Sequence, residues 1–355
     1  MRVLHVGGID HRRGLRDRYL LDLVLAQRTA GHDVDDLADP TAAVVGVLHR
    51  TRPDVVHLHH APVPSLLAAA AAASAAGVPT VLTLDHDLAP PDPAGVAATP
   101  DHRVPLRSPA GTPRPLAAPV RPGWTAGLGQ VDVLVCASEA QRRALAQRGL
   151  DPVRLVPLDT AIDVDAVAPA RRPGHGVLYA GRIGHDDGLD VLVDAVRHLP
   201  RGLPVTIAGD GPARAGLERQ AAEVVPGRVT FRARLDEAER HQRMRDAAVV
   251  VVPARADEFR PRVLLEAFSA ARPVVATRTS GLSELVDDGV TGALVEPDDP
   301  HALAEALRIL TMDPAVAFQQ GREARRRAEE RFALAGHVAA LDRIYAAALS
   351  RRHVA

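Results

Sequence analysis

Lysine is missing from all 355 residues, so each of the 43 basic side chains is an arginine. With Ala, Val and Pro abundant, this reads as coding bias, and an arginine in place of lysine carries little meaning by itself. Cysteine is nearly as scarce: a single Cys136 rules out a disulfide framework and points to a reducing compartment. It ends the apolar run VDVLVC, the setting of an inert core thiol rather than a nucleophile. Aromatic residues make up 3% of the chain, with one tryptophan, Trp124, which disfavours a base-stacking platform. The formal net charge of -1 provides no basic field, so nucleic acid is not an expected partner. A long hydrophobic run is also lacking. The most apolar stretch, SLLAAAAAASAAGV (65–78), is alanine-rich and too short to span a bilayer. MRVLHVGG enters a strand at once, with no signal-peptide pattern, so a cytoplasmic protein is expected.

What is present is a globular composition, 46% hydrophobic and 25% charged, and enough length for two domains. Short apolar strands alternate with helical patterns, the signature of parallel sheets wrapped by helices. RVLHVG, DVVHLHH, PTVLTL and VDVLVC read as strands in the first half, with helices at about 15–30, 63–76 and 138–148. Ser138 followed by Gln141 predicts a capping box for the last of these. GVLYAG, PVTIAG, VTF, AAVVVVP and PVVAT read as strands in the second half. DVDAVAPARRPGHG (163–176) suits an interdomain linker. The expected architecture is α/β with two doubly wound domains, 1–165 and 174–332, and a ligand between them at strand carboxyl ends. A final helix, roughly 333–350, is apolar at helical spacing, and GREARRRAEERF (321–332) reads as an exposed helix face. Residues 90–122 hold ten prolines with little periodicity, the pattern of either a functional lid or plain disorder.

Two glycine turns follow strands of the second domain, YAGRIGHDDG with Arg182 beside a helix start and AGDGP at 208–212. Each alone is a common strand ending; free N–H groups and an arginine together suit an anion. Further on come Glu258 and Glu266, one before a helix and one inside it. Glu266 is embedded in VLLEAFSAARPVVAT, where an unpaired carboxylate would be costly, so a solvated helix face does not explain it. At that place it can accept the vicinal hydroxyls of a ribose. His57, His59 and His60 cluster as metal ligands do, and Asp85-His86-Asp87 imitates a nucleotide-metal motif, but no metal is expected at either. RRGLRDR (12–18) offers positive charge to anionic lipid or an acidic acceptor, which leaves peripheral membrane contact open beside the plainer reading of a solvated helix start.

These residues carry a resemblance. The GR at 181–182, AGDGP, the E-x7-E pair, EAFSAARPVVAT and SELVDDGVTGALVEPDDPHALAEAL resemble the retaining glycosyltransferases of family 4. RTAGHDV, PDVVHLHH, PTVLTLDHDL and DVLVCASEAQRRAL are similar to the same family, and only 90–122 lacks a counterpart. The resemblance implies a GT-B fold, two Rossmann-like domains facing across a cleft, with the last helix (333–355) rejoining the first domain. It implies a hexosyltransferase-type enzyme taking a nucleoside diphosphate sugar donor and a small-molecule, lipid or glycan acceptor, with no metal cofactor. By the same resemblance, Arg182 holds the diphosphate, Glu266 the ribose, and Glu258 and His86 meet the transferred sugar, with Gly14 bringing backbone N–H groups to the phosphates. The implied donor-binding set also includes Asp187, Arg260, Arg262, Val263 and Leu264.

The sequence departs from the family at two places. Asp187 stands where a lysine is usual, and a negative charge there should repel a diphosphate. Phe259-Arg260-Pro261 replaces a glycine-aromatic-glycine turn, and Pro261 has no N–H to offer. Arg260 and Arg262 are candidates to restore positive charge. Both departures favour an alternative, a weakly active or non-catalytic homologue that binds a sugar nucleotide or supports a partner enzyme. A nucleotide-sugar epimerase of the same fold fits the E-x7-E region less well, and HVGGIDHRRG lacks the GxGxxG turn of an NAD enzyme.

Overall fold

A computed structural model describes residues 1–7, 9–10, 15–16, 18–38, 44–59, 63–84, 127–255 and 261–354. The chain divides into two compact units. Among the described residues, one comprises those up to Ile162 together with Ala333 onward; the other runs from Asp163 to Phe332.

The first unit opens with β1 (Arg2–Val6), a short ribbon of β2 (Ile9–Asp10) and β3 (Leu15–Arg16), and α1 (Arg18–Thr29). It continues through β4 (Asp33–Leu37), α2 (Val44–Thr51), β5 (Val55–Leu58), α3 (Val63–Ala75) and β6 (Thr80–Leu84). Then come β7 (Val133–Cys136), α4 (Glu139–Gln147) and β8 (Leu155–Pro157). The six strands of its sheet lie in the order β4-β1-β5-β6-β7-β8, and every pairing is parallel. VLHV, VVHL, TVLTL and VLVC are buried along their whole length because helices cover both faces of a parallel sheet. One face packs Leu4, Val6, Val56 and Leu58 against α2, α3 and α4. The other packs Val3, Val55 and Val81 against Tyr19 and Leu23 of α1 and Leu341 and Tyr345 of the final helix. Ser138 caps α4 as its sequence predicts, accepting from Gln141 N at 3.0 Å. Gln141 Oε1 reaches Ala137 N at 2.7 Å, one residue short of the reciprocal arm of a capping box.

The second unit repeats the plan with β9 (Val177–Ala180), α5 (Leu189–Ala195), β10 (Val205–Ala208), α6 (Arg214–Val224) and β11 (Val229–Arg232). There follow α7 (Glu237–Asp246), β12 (Val249–Val252), α8 (Arg262–Ser269), β13 (Val274–Thr277), the single turn α9 (Ser280–Ser283), β14 (Gly292–Val295), α10 (Pro300–Met312) and α11 (Pro314–Arg331). The order β11-β10-β9-β12-β13-β14 places the first strand in the middle, with the chain winding outward in both directions. The switch point therefore lies between β9 and β12, the place where such a sheet opens a crevice at its carboxyl edge. The chain returns to the first unit in α12 (Leu334–Val354), within the 333–355 that the resemblance implied and beyond the 333–350 read from apolar spacing.

Segment 163–176, read as a linker, is laid down on the second unit. Val164 and Val167 are buried, and Arg325 donates to the carbonyl oxygens of Val164, Val167 and Ser269 at 3.0, 2.9 and 2.7 Å. Residues 90–122 fall outside the described residues, as do Gly14, His60, Asp85, His86, Asp87, Glu258 and Arg260.

Candidate active site

The two glycine turns of the second unit are stitched together. Gly181 N donates to Ala208 O and Ile183 N to Asp210 O, both at 3.0 Å, and Ala213 N returns to Ile183 O at 3.0 Å. The backbones approach so closely that a Cβ on Gly209 would sit 1.8 Å from Gly181 O. Glycine is required there by contact and not only by turn geometry. Arg182, half-buried, stands on the first of these turns, and its carbonyl accepts from the Tyr179 hydroxyl.

The same turn is tied to the loop after β12. Arg255 N donates to Asp186 O at 2.8 Å. Its guanidinium grips both carboxylate oxygens of Asp190, at 2.7 and 2.6 Å, and also reaches Asp298. Glu258 follows three residues later in the sequence, outside the described residues. Nothing in the sequence singled out Arg255; its partners lie 65 and 43 residues away.

Asp187, expected from sequence to repel a diphosphate, turns its carboxylate inward. It is 3% exposed, and its Oδ2 accepts from Gly184 N at 2.6 Å, closing a tight turn at residues 185–187. A carboxylate bonded inward to its own turn is a cap, and its charge is directed to the backbone.

Glu266 sits in α8, 0% exposed, with its carboxylate held by arginines from two helices. Arg240 of α7 grips it with two bonds, Nε to Oε2 at 2.6 Å and Nη2 to Oε1 at 2.8 Å. Arg262 adds Nε to Oε1 at 2.9 Å. His241 Nε2 lies 3.8 Å from Oε1, beyond hydrogen-bond length, so its influence is electrostatic. Burial alone would favour the neutral acid. The neighbouring His241, the paired Arg240 and the charge of Arg262 outweigh it and hold the Glu266 carboxyl down at about 2. Glu266 is therefore an ionised, fixed acceptor. Arg262 turns its guanidinium to Glu266; Val263 is half-buried, and Leu264 is fully buried with its N–H on Pro261 O at 3.0 Å. Pro261 supplies no side-chain cap to α8, so the helix start keeps its positive end. Arg240 was missed because DEAERHQRMRD reads as a solvated helix, and its partner lies 26 residues on.

The histidines of the first unit form a separate cluster. His5, His57 and His59 are buried, with ring nitrogens within 4.8 Å of one another, close enough to hold a metal ion. They are, however, joined by hydrogen bonds: His5 Nδ1 to His59 Nε2 at 2.7 Å, His5 Nε2 to Gln27 Oε1 at 2.6 Å, and His57 to the Tyr345 and Thr83 hydroxyls at 2.7 Å each. Gln27 fixes the tautomers. Its Oε1 only accepts, so His5 carries its proton on Nε2 and receives one from His59 at Nδ1. Gln27 Nε2 donates to the Tyr345 oxygen at 3.2 Å, an arrangement compatible with Tyr345 donating to His57 Nδ1 and His57 to Thr83. All of these hydrogen bonds can be made with neutral rings. Burial correspondingly pushes His5 down to about 4. The lone Cys136 is fully buried, and burial pushes its thiol up to about 12, the state of an inert thiol.

Two Rossmann-like units with a phosphate-type glycine edge and a clamped carboxylate at the second sheet's switch point define the GT-B class. HepE of Anabaena, solved in complex with UDP, superposes over 98% of this chain and 100% of its own, with a TM-score of 0.77 at 18% identity, which establishes the fold. Residues 37–166 match the family model described as Glycosyltransferase Family 4, and residues 174–313 that described as Glycosyl transferases group 1. The chain belongs to the family 4 glycosyltransferases. It is 35% identical over 189 residues to glycogen synthase of Mycobacterium tuberculosis, covering 50% of this chain and 45% of that protein. It is 33% identical over 216 residues to D-inositol 3-phosphate glycosyltransferase of Streptomyces avermitilis, covering 56% and 46%. The chain thus spans about half the length of the curated relatives it matches. Among the described residues, no helix is long and apolar enough to cross a membrane.

Proposed function

We propose that the protein transfers a sugar from a nucleoside diphosphate sugar to a small-molecule, lipid or glycan acceptor with retention at the anomeric carbon, and that it works in the cytoplasm. The observation that carries this reading is the buried, ionised Glu266 at the switch point of the second unit, close in sequence to a helix start without a side-chain cap. Structural neighbours hold UDP and, in one case, UDP-glucose, which supports the donor class. Glu266 accepts the ribose hydroxyls, while Arg182, Arg262 and the α8 N-terminus at Val263 face the diphosphate, with the Leu264 N–H already given to Pro261 O. Arg260 and Gly14 add a charge and a backbone donor there, and His86 and Glu258 bind the transferred sugar.

In the proposed step the acceptor oxygen bonds to the anomeric carbon on the face from which the leaving group departs. The bond from that carbon to the phosphate oxygen breaks, and the acceptor proton passes to the departing phosphate. No protein nucleophile is used, so Glu258 and Glu266 are not a hydrolase acid–base pair. Arginine and helix-end charge stabilise the leaving diphosphate in place of a divalent ion. The inward turn of Asp187 removes one of the two sequence features that favoured a non-catalytic binder.

A thermal-shift panel of UDP-, GDP-, ADP- and dTDP-sugars tests the donor class, since specific binding raises stability by mass action. One nucleotide series is expected to stabilise the protein, with Glu266→Gln and Arg182→Ala abolishing the shift and the transfer while the fold persists. Stabilisation undiminished in both variants would refute the site. Transfer is expected to continue in excess chelator; loss restored by one cation would contradict the metal-free step.

A further inference from the structure

The Glu266 side chain is fully buried, and two arginines make three hydrogen bonds to it. Arg240 meets both of its oxygens from another helix, side chain 20% exposed against 32% for Arg262. A carboxylate offers about four lone-pair positions, two on each oxygen. Arg240 takes one on each oxygen and so leaves one on each, in the plane set by its rigid fork. The remaining position on Oε1 is taken by Arg262 Nε, from the more exposed of the two arginines, until a ligand hydroxyl competes for it. Two acceptor positions, one per oxygen and held in a fixed plane, are what a cis-diol requires.

We infer that Arg240 is a positioning residue for recognition of the donor ribose: its bidentate grip fixes Glu266 so that each carboxylate oxygen keeps one acceptor position for one hydroxyl of the diol. The inference rests on the reading of Glu266 as the ribose acceptor. Arg240 touches no ligand itself. Its effect is therefore on the preference for ribose over deoxyribose and not simply on affinity.

The test is calorimetric titration with UDP, ADP and GDP and their 2′-deoxy counterparts, on the wild type and on Glu266→Gln, Arg240→Gln and Arg240→Lys. The wild type is expected to favour the ribonucleotide of its series by about tenfold or more, the worth of a hydrogen bond to a charged acceptor. Glu266→Gln should reduce that preference to about threefold or less. Arg240→Gln should do the same although Glu266 remains, and Arg240→Lys, which keeps the charge but meets one oxygen at a time, should fall between. Should Arg240→Gln fail to fold, judged by thermal unfolding, the lysine variant carries the test. A ribose preference intact in the Arg240 variants but lost in Glu266→Gln would overturn the inference alone. No preference in the wild type, or no binding of any of the six nucleotides, would overturn the reading of Glu266 and the inference with it.

Discussion

Gly188 and Asp187 show how single residues shape the turn beside Arg182. Gly188 has φ of +66°, and a Cβ there would meet Pro253 O at 1.9 Å, so it is glycine for backbone conformation and for contact with the loop after β12. Gly188→Ala is expected to destabilise the protein by about 2 kcal/mol or more, combining left-handed strain with displacement of the two loops. Denaturant unfolding would measure it, and an unchanged midpoint would show the contact to be slack. Asp187 carries the opposite lesson. Its chemical type suggested repulsion of phosphate, but side-chain direction is not legible from type, and glycines at 184 and 188 mark a turn that needs a cap. Asp187→Ala is accordingly expected to lose about 1–2 kcal/mol of stability. Asp187→Lys should destabilise as well, since an ammonium cannot accept from Gly184 N, and no tightening of nucleotide binding is expected. A lysine variant that folds as well as the wild type and binds nucleotide about tenfold tighter would return Asp187 to the phosphate site.

At the scale of elements, the central strands were legible, and of the four edge strands only β11, read as VTF, was. VLHV, VVHL and VVVV are buried on both faces and spell their burial in apolar residues. DVDDL, LVP and GALV, the strands β4, β8 and β14, lie at sheet edges, pair on one side only and need no such run. The histidines within VLHV and VVHL were legible as residues, but their partners were not. Gln27 comes from α1 and Tyr345 from α12, 318 residues apart, joined only when α12 packs on the sheet. That network makes α12 more than a hydrophobic cover. Tyr345 serves both His57 and Gln27, whereas Tyr19 bonds His337 at 2.7 Å. Removing the Tyr345 hydroxyl leaves two buried partners unsatisfied, so Tyr345→Phe should cost about 2–4 kcal/mol. An unchanged midpoint in urea would show that the hydroxyl network adds nothing to apolar packing.

Over the whole molecule the two units share a plan but differ in what acid does to them. The first keeps a network of neutral histidines, with His5 lowered from 6.5 to about 4 by burial. The unfolded chain takes up that proton more readily than the folded one. The contribution of His5 is therefore complete above pH 6.5 and is lost as pH falls from 6.5 toward 4. In the second unit the Glu266 carboxyl is lowered from 4.5 to about 2 by its charged partners against the opposing effect of burial. Its contribution is complete above pH 4.5 and is lost only between 4.5 and 2. Each shift, 2.5 pH units by subtraction, corresponds to about 3 kcal/mol. The first unit should thus weaken at pH 5 while the clamp in the second still holds. Amide hydrogen exchange resolved by segment, between pH 7.5 and 4.5 and corrected for intrinsic rates, would read this directly. Protection of β1 and β5 is expected to fall through that range while β9 and β12 change little. Loss of protection in both units together would mean that acid acts through some other set of groups. Steady protection of β1 and β5 down to pH 4.5 would mean that the histidine network accepts a proton without opening.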